Sequence, residues 1–258
     1  MRFSLRKIKS QVSVFVIIAV VIILGLGIFY FLKSGFGLSK DERYFYSPEI
    51  KPKFDNLRSS ISDCLEQTTS DALDLIGFQG GYYKKPQEYM DLDYFFIPYY
   101  YKEGKILMPT KEKIEEEISN YVDDNLKICV NNASQDFFVN LDSSKTKTTI
   151  NKGEVVFNIN GDVRVEKEGK STIIKLDKNP LSHRSKLYDI LEISEYISYS
   201  HKDDPKMICI TCVADMAKER DVFVEMYNVK DSIVLVELYE NLTSENYVFE
   251  FLNKYPEN

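Results

Sequence analysis

The chain has 258 residues, with 33 Lys and Arg against 40 Asp and Glu, a formal net charge of −7 and 44% apolar side chains. An acidic balance of this size repels nucleic acid and anionic headgroups, which argues against DNA or RNA as a partner. The charge is also unevenly placed: no acid occurs before Asp41.

Arg2, Arg6, Lys7 and Lys9 make residues 1–11 a basic tail. Residues 12–32 are 21 positions without a charge. At about 1.5 Å rise per residue such a run covers roughly 30 Å, the hydrocarbon thickness of a bilayer, and no polar face interrupts it. A transmembrane helix is predicted there, in contact with the lipid bilayer. The basic flank places the N-terminus in the cytoplasm and residues beyond about 40 outside. The run ends in Ile28, Phe29, Tyr30, Phe31 and Leu32, without the small-residue cleavage pattern of a secretory signal, so an uncleaved anchor is expected. Residues 33–47 read as a linker and 48–258 as one extracytoplasmic domain. With the four basic residues of the tail set aside, 29 Lys and Arg face all 40 acids outside, a net charge of −11.

Lys9, Ser10, Gln11, Val12 and Ser13, together with the apolar run, resemble archaeal type IV prepilin-like (class III) signal segments, in which the mature chain begins at a Gln, here Gln11. Ser10 stands where that pattern has Gly, and Phe15 where many such pilins carry Glu. The resemblance implies an exported chain, with a pilin-like envelope component as one reading. A pilin's apolar helix runs on into its outer domain, whereas here Gly35 and Gly37 follow the run, each costing a helix interior about 1 kcal/mol relative to Ala. A tethered domain fits better. The remainder resembles single-pass membrane proteins of archaea, which implies no activity.

Within the outer domain, a helix is predicted from Pro52, with Phe54, Leu57, Ile61, Cys64, Leu65, Thr68, Ala72, Leu75 and Ile76 as its apolar stripe and Gly77, Gly80 and Gly81 as its stop. A loop over 82–91 follows. Residues 94–101 and 105–108 then pair as a hairpin through Lys102, Glu103 and Gly104. Thr110 caps a second helix whose stripe is Ile114, Ile118, Tyr121, Val122, Asn125, Leu126 and Cys129, with Glu115, Glu116, Glu117 and Asp123 on its solvated side. Strand alternation occupies 146–150 and Val155, Phe157 and Ile159. Asn160 and Gly161 predict a tight turn, 162–166 the returning strand, and Gly169 the next turn before 171–176. Pro180 ends the strands. Ser182 caps a third helix carrying Leu187, Ile190, Leu191 and Ile197, and Pro205 separates it from a shorter helix over 209–220. Strands at 222–229, 232–239 and 247–252 complete an α+β domain with one largely antiparallel sheet and helices packed on one face.

Cys64, Cys129, Cys209 and Cys212 lie in the part that meets an oxidising compartment, where an even count points to disulfides. Cys64 and Cys129 both fall on buried helix faces and form the first expected pair. Cys209 and Cys212 form a C-x-x-C at a helix start, where a thiolate is stabilised, and the expectation is a disulfide or a dithiol. A four-Cys zinc site draws on two close pairs and only one exists here, so no metal is expected, and no cofactor motif occurs. His183 and His201 read as surface residues outside any hydrolase motif. Nine of the 18 tyrosines fall between Tyr44 and Tyr101. Tyr82, Tyr83, Tyr99, Tyr100 and Tyr101 are the candidate surface for a protein or glycan partner, because tyrosine pairs a large rigid face with a polar tip. Asn132 and Asn241 stand in N-glycosylation triplets, in agreement with an outside location. The leading expectation is a membrane-anchored binding or scaffolding protein of the cell envelope with no catalytic set. The alternative is a membrane-tethered thiol–disulfide oxidoreductase using Cys209 and Cys212.

Overall fold

The computed structural model describes residues 17–25, 39–177, 180–201, 208–230, 232–240 and 247–256. Residues 17–25 form helix α1, with every side chain exposed. The rest of the predicted span lies outside the described residues, as do linker positions 33–38. Among the described residues no helix is long and apolar enough to cross a membrane.

The second half of the predicted linker is instead part of the domain. Ser39 opens helix α2 (Lys40–Phe45) through a capping box, its hydroxyl accepting from the Glu42 amide while the Glu42 carboxylate accepts from the Ser39 amide. Phe45 is fully buried between Phe54 and Phe137. Helix α3 (Lys51–Phe78) carries Pro52 in its first turn. It ends as its glycines predict, the Gly81 amide donating to Ile76 O at 2.7 Å with Gly80 at φ +49°. Strand β1 (Tyr89–Asp91) then pairs with β2 (Phe96–Lys102), and β2 turns through Glu103 and Gly104 into β3 (Lys105–Ile106). Thr110 caps α4 (Lys111–Asn131), its hydroxyl accepting from the Lys113 amide.

The middle of the chain departs from the predicted meander. Strands β4 (Phe138–Asn151) and β5 (Glu154–Lys167), 14 residues each, form a long hairpin that turns at Lys152 and Gly153. Asn160 and Gly161 are not a turn: they lie inside β5, with Gly161 opposite Ser144 where the register shifts. A Cβ on Gly161 would stand 3.2 Å from Leu141 Cδ1 and 3.3 Å from Ser143 O, so this glycine serves a close approach at a bulge. Gly169 does mark a turn, into β6 (Lys170–Lys175). Pro180 does not end the strands, because β7 (Leu181–Arg184) follows and pairs with the other half of the same β5 edge. Ser182 therefore sits in a strand. Helix α5 (Leu187–Ser200) begins later, where the Ser185 hydroxyl accepts from the Leu187 amide. Helix α6 (Ile210–Arg220) and strands β8 (Phe223–Lys230), β9 (Ile233–Glu240) and β10 (Tyr247–Lys254) complete the chain.

The fold is α+β, but with two sheets in place of the single one expected. One has the order β1-β2-β10-β9-β8 with β3 beside β2, and the other β4-β5-β6 with β7 beside β5. All pairings are antiparallel except β2 with β10, which places strands far apart in sequence side by side. Helix α3 packs on β10, α4 on β4, and the two helices on each other, so the helical pair joins both sheets through one core. Gly77 permits the α3–β10 contact, since a Cβ there would lie 2.3 Å from Val248 O.

Of the four α4 acids expected on a solvated side, Glu115, Glu116, Glu117 and Asp123, three are not there. The Glu115 carboxylate accepts from the Ile150 amide, and the Asp123 carboxylate accepts from Thr146 and Ser144, which ties α4 to β4. Glu117 is buried and accepts from the amides of Tyr83 and Lys84. Burial opposes its charge, but the Lys113 ammonium and those two amides outweigh it and hold the carboxyl below its ordinary range. Glu116 is the exposed one, paired with Lys113.

Candidate functional site

The tyrosines singled out as a binding surface divide sharply. Tyr99, Tyr100 and Tyr101 are buried, Tyr100 and Tyr101 almost completely. Tyr100 stacks on Phe251 at 4.3 Å between centroids and donates its hydroxyl to Gly80 O at 3.0 Å, while Tyr99 packs with Ile97 and Leu252. Tyr101 lies against the His201 ring at 4.4 Å. These three are core, so they cannot form the partner surface. Strand β2 is flanked by β1, β3 and β10 and covered on both sides, which a reading of exposed alternation cannot foresee. Tyr82 and Tyr83 are half-buried, Tyr83 edge-on to Tyr121 at 5.2 Å. Tyr94 is 98% exposed and stands apart from them.

Neither histidine is a surface residue. His201 ends α5, is buried, and its Nε2 lies 3.2 Å from the Tyr255 hydroxyl and 3.3 Å from Asn253 Nδ2. His183 lies in β7, with Nε2 2.7 Å from the Thr69 hydroxyl and its ring edge-on to Phe157. Both are packing groups. The hydroxyl in reach of His183, that of Thr69, is fully buried and also lies 2.8 Å from the Leu65 carbonyl, to which it donates. Among the described residues no group of three or more His, Cys, Asp and Glu could hold a metal ion.

The four cysteines form two disulfides of different character. Cys64–Cys129 joins α3 to α4, with Cα atoms 5.7 Å apart across a sequence separation of 65. Cys209–Cys212 spans three residues at the first turn of α6, with Cα atoms 5.2 Å apart. Cys209 is the N-cap of α6, exposed, and its Sγ accepts from the Cys212 amide at 3.2 Å. The Thr211 hydroxyl lies 3.5 Å from the same sulfur. Beside this helix start an open groove of about 550 Å³ runs between α6 and β8, lined by Ile210, Val213, Ala217, Val224 and Met226 among others.

The second feature was not singled out from the sequence. On the face of β8-β9-β10 turned away from the helices, Glu225, Glu237 and Glu250 stand directly opposite one another across three strands. Exposed or half-exposed apolar side chains surround them: Phe223 stacked on Tyr239 at 5.2 Å, with Tyr227, Leu235 and Val248. Like charges directly opposite on adjacent strands destabilise a sheet, and each carboxyl answers differently. Hydrogen bonds donated by the Tyr227 and then the Tyr239 hydroxyl hold Glu225 below its ordinary range. Burial and then the Glu225 charge push Glu237 up. Burial and then the Glu237 charge push Glu250 up to about 7. The legible signal was a Glu flanked by apolar residues in each of three consecutive strands, but their alignment depends on register. Comparison with protein-family models, with curated proteins and with solved structures finds no match to this chain.

Proposed function

We propose that this chain is a single-pass, membrane-anchored protein of the cell envelope whose extracytoplasmic α+β domain binds a basic segment of another envelope protein on the outer face of β8-β9-β10. The uncharged run at 12–32 and the basic tail before it support the anchor and its orientation. The two disulfides suit an oxidising compartment. What carries the binding reading is the ladder of Glu225, Glu237 and Glu250 beside exposed aromatic rings. Three aligned carboxylates cost the isolated sheet free energy that lysine or arginine side chains laid across them would recover, and the rings supply an apolar contact area next to the charge. This surface takes the place of Tyr99, Tyr100 and Tyr101.

The test is a pull-down from detergent-solubilised membranes with the full chain as bait. Wild type should retain a basic protein that elutes with salt, and the triple substitution Glu225→Gln, Glu237→Gln, Glu250→Gln should lose it. Equal retention by both chains refutes the assignment. Protease added to intact cells should degrade the domain beyond residue 40, and protection of that domain with cleavage of the tail would reverse the orientation.

A further inference from the structure

We propose that Cys209–Cys212 is a redox-active disulfide that exchanges with dithiols of the kind presented by a polypeptide with two reduced cysteines. The contrast with Cys64–Cys129 is the starting point. That bond is largely buried and ties two long helices across 65 residues of chain, whereas Cys209–Cys212 is exposed and ties one turn of one helix to itself. The hold of α6 on the domain comes from its buried Val213 and Ala217 and, at its far end, from Arg220, which pairs with Glu192 and accepts at its carbonyl from Lys186. Little in the fold depends on the bond, so it can open without the domain opening.

Its chemistry is directional. Cys209 is the exposed residue of the pair and Cys212 the half-buried one, so the proposed target of the incoming thiolate is Cys209 Sγ. Attack there forms a mixed disulfide between the substrate sulfur and Cys209 and expels the Cys212 thiolate. The substrate's second thiolate then attacks its own sulfur in the mixed disulfide, forms the substrate disulfide, and expels Cys209. That last leaving group already sits at the helix N-terminus, accepts from the Cys212 amide and has the Thr211 hydroxyl beside it, all of which stabilise negative charge on sulfur. Two electrons pass from the substrate dithiol to the C-x-x-C, and the same two steps run in reverse with a small-molecule disulfide restore it. This reading is independent of the glutamate ladder on the outer sheet face.

The experiment uses the full chain in detergent, equilibrated with mixtures of reduced and oxidised glutathione and then alkylated. Mass spectrometry should find Cys209 and Cys212 modified together, in a reversible two-electron titration, while Cys64–Cys129 stays closed and the circular dichroism spectrum is unchanged. Oxidation of a reduced two-cysteine peptide by oxidised glutathione should accelerate at least tenfold with wild type and not with Cys209→Ser, Cys212→Ser. A chain with Cys212→Ala should trap the disulfide form of the peptide on Cys209, releasing the peptide's second thiolate, at least tenfold faster than one with Cys209→Ala traps it on Cys212. A Cys209–Cys212 bond that opens only when the domain unfolds, or only after Cys64–Cys129 is reduced, overturns the proposal. So does a wild-type chain that leaves peptide oxidation unchanged while its disulfide titrates.

Discussion

Replacing Cys64 and Cys129 together with Ala should cost far more stability than replacing Cys209 and Cys212. Closing a loop restricts the unfolded chain by a constant plus a part that grows with the logarithm of its length, so a separation of 65 corresponds to about 4 kcal/mol at 25 °C and a separation of three to about 2 kcal/mol. The gap widens in the folded state. Cys64 is 6% exposed within the α3–α4 contact, so its loss also leaves a small void there, whereas Cys209 is exposed and leaves none. For a domain of this size, 4 kcal/mol lowers the midpoint of thermal unfolding by about 8–16 °C. Urea unfolding of the full chain in detergent, followed by circular dichroism, measures both differences against wild type. Equal losses from the two double variants, or a larger loss from Cys209→Ala, Cys212→Ala, would refute the division into one bond that holds the fold and one that does not.

Gly77→Ala separates two effects of opposite sign. An exposed helix would gain about 1 kcal/mol, but a Cβ 2.3 Å from Val248 O must push α3 away from β10, so a net loss of about 2 kcal/mol is expected by urea unfolding and any gain contradicts the contact. Tyr100→Phe keeps the stack on Phe251 but removes the hydroxyl that donates to Gly80 O; it should cost about 1 kcal/mol with no change in partner binding. Folding lifts the Glu250 carboxyl from 4.5 to about 7, so the associated stability is complete below pH 4.5 and is lost as the pH rises through 7. Glu250→Gln should therefore flatten the pH dependence of stability over that window. It should also exceed wild type at pH 8 by about 1 kcal/mol once solvent screening is allowed for, and a wild-type curve that rises through the same window would contradict the assignment.

Features governed by neighbours in the chain were legible before the fold was known. The 3.6-residue period of α3 and α4, the Thr110 cap, the stop at Gly80 and Gly81, and the turns at Gly104 and Gly169 depend on local backbone geometry. The stripes that carry Cys64 and Cys129 also put both cysteines on core-facing sides. Tertiary structure decided whatever depends on partners distant in sequence. Asn160 and Gly161 have strong turn chemistry, yet Gly161 is held in β5 because it lies under Leu141 and Ser143 at the bulge. Tyr99, Tyr100 and Tyr101 are core because β2 pairs in parallel with β10, a strand from the far end of the chain. Of the two candidate sites, the C-x-x-C was readable as spacing, since its chemistry lies within one helical turn. The glutamate ladder was not, because a one-residue slip between β8, β9 and β10 would turn one carboxylate to the opposite face, and only the packing of the inner face against the helices sets that register.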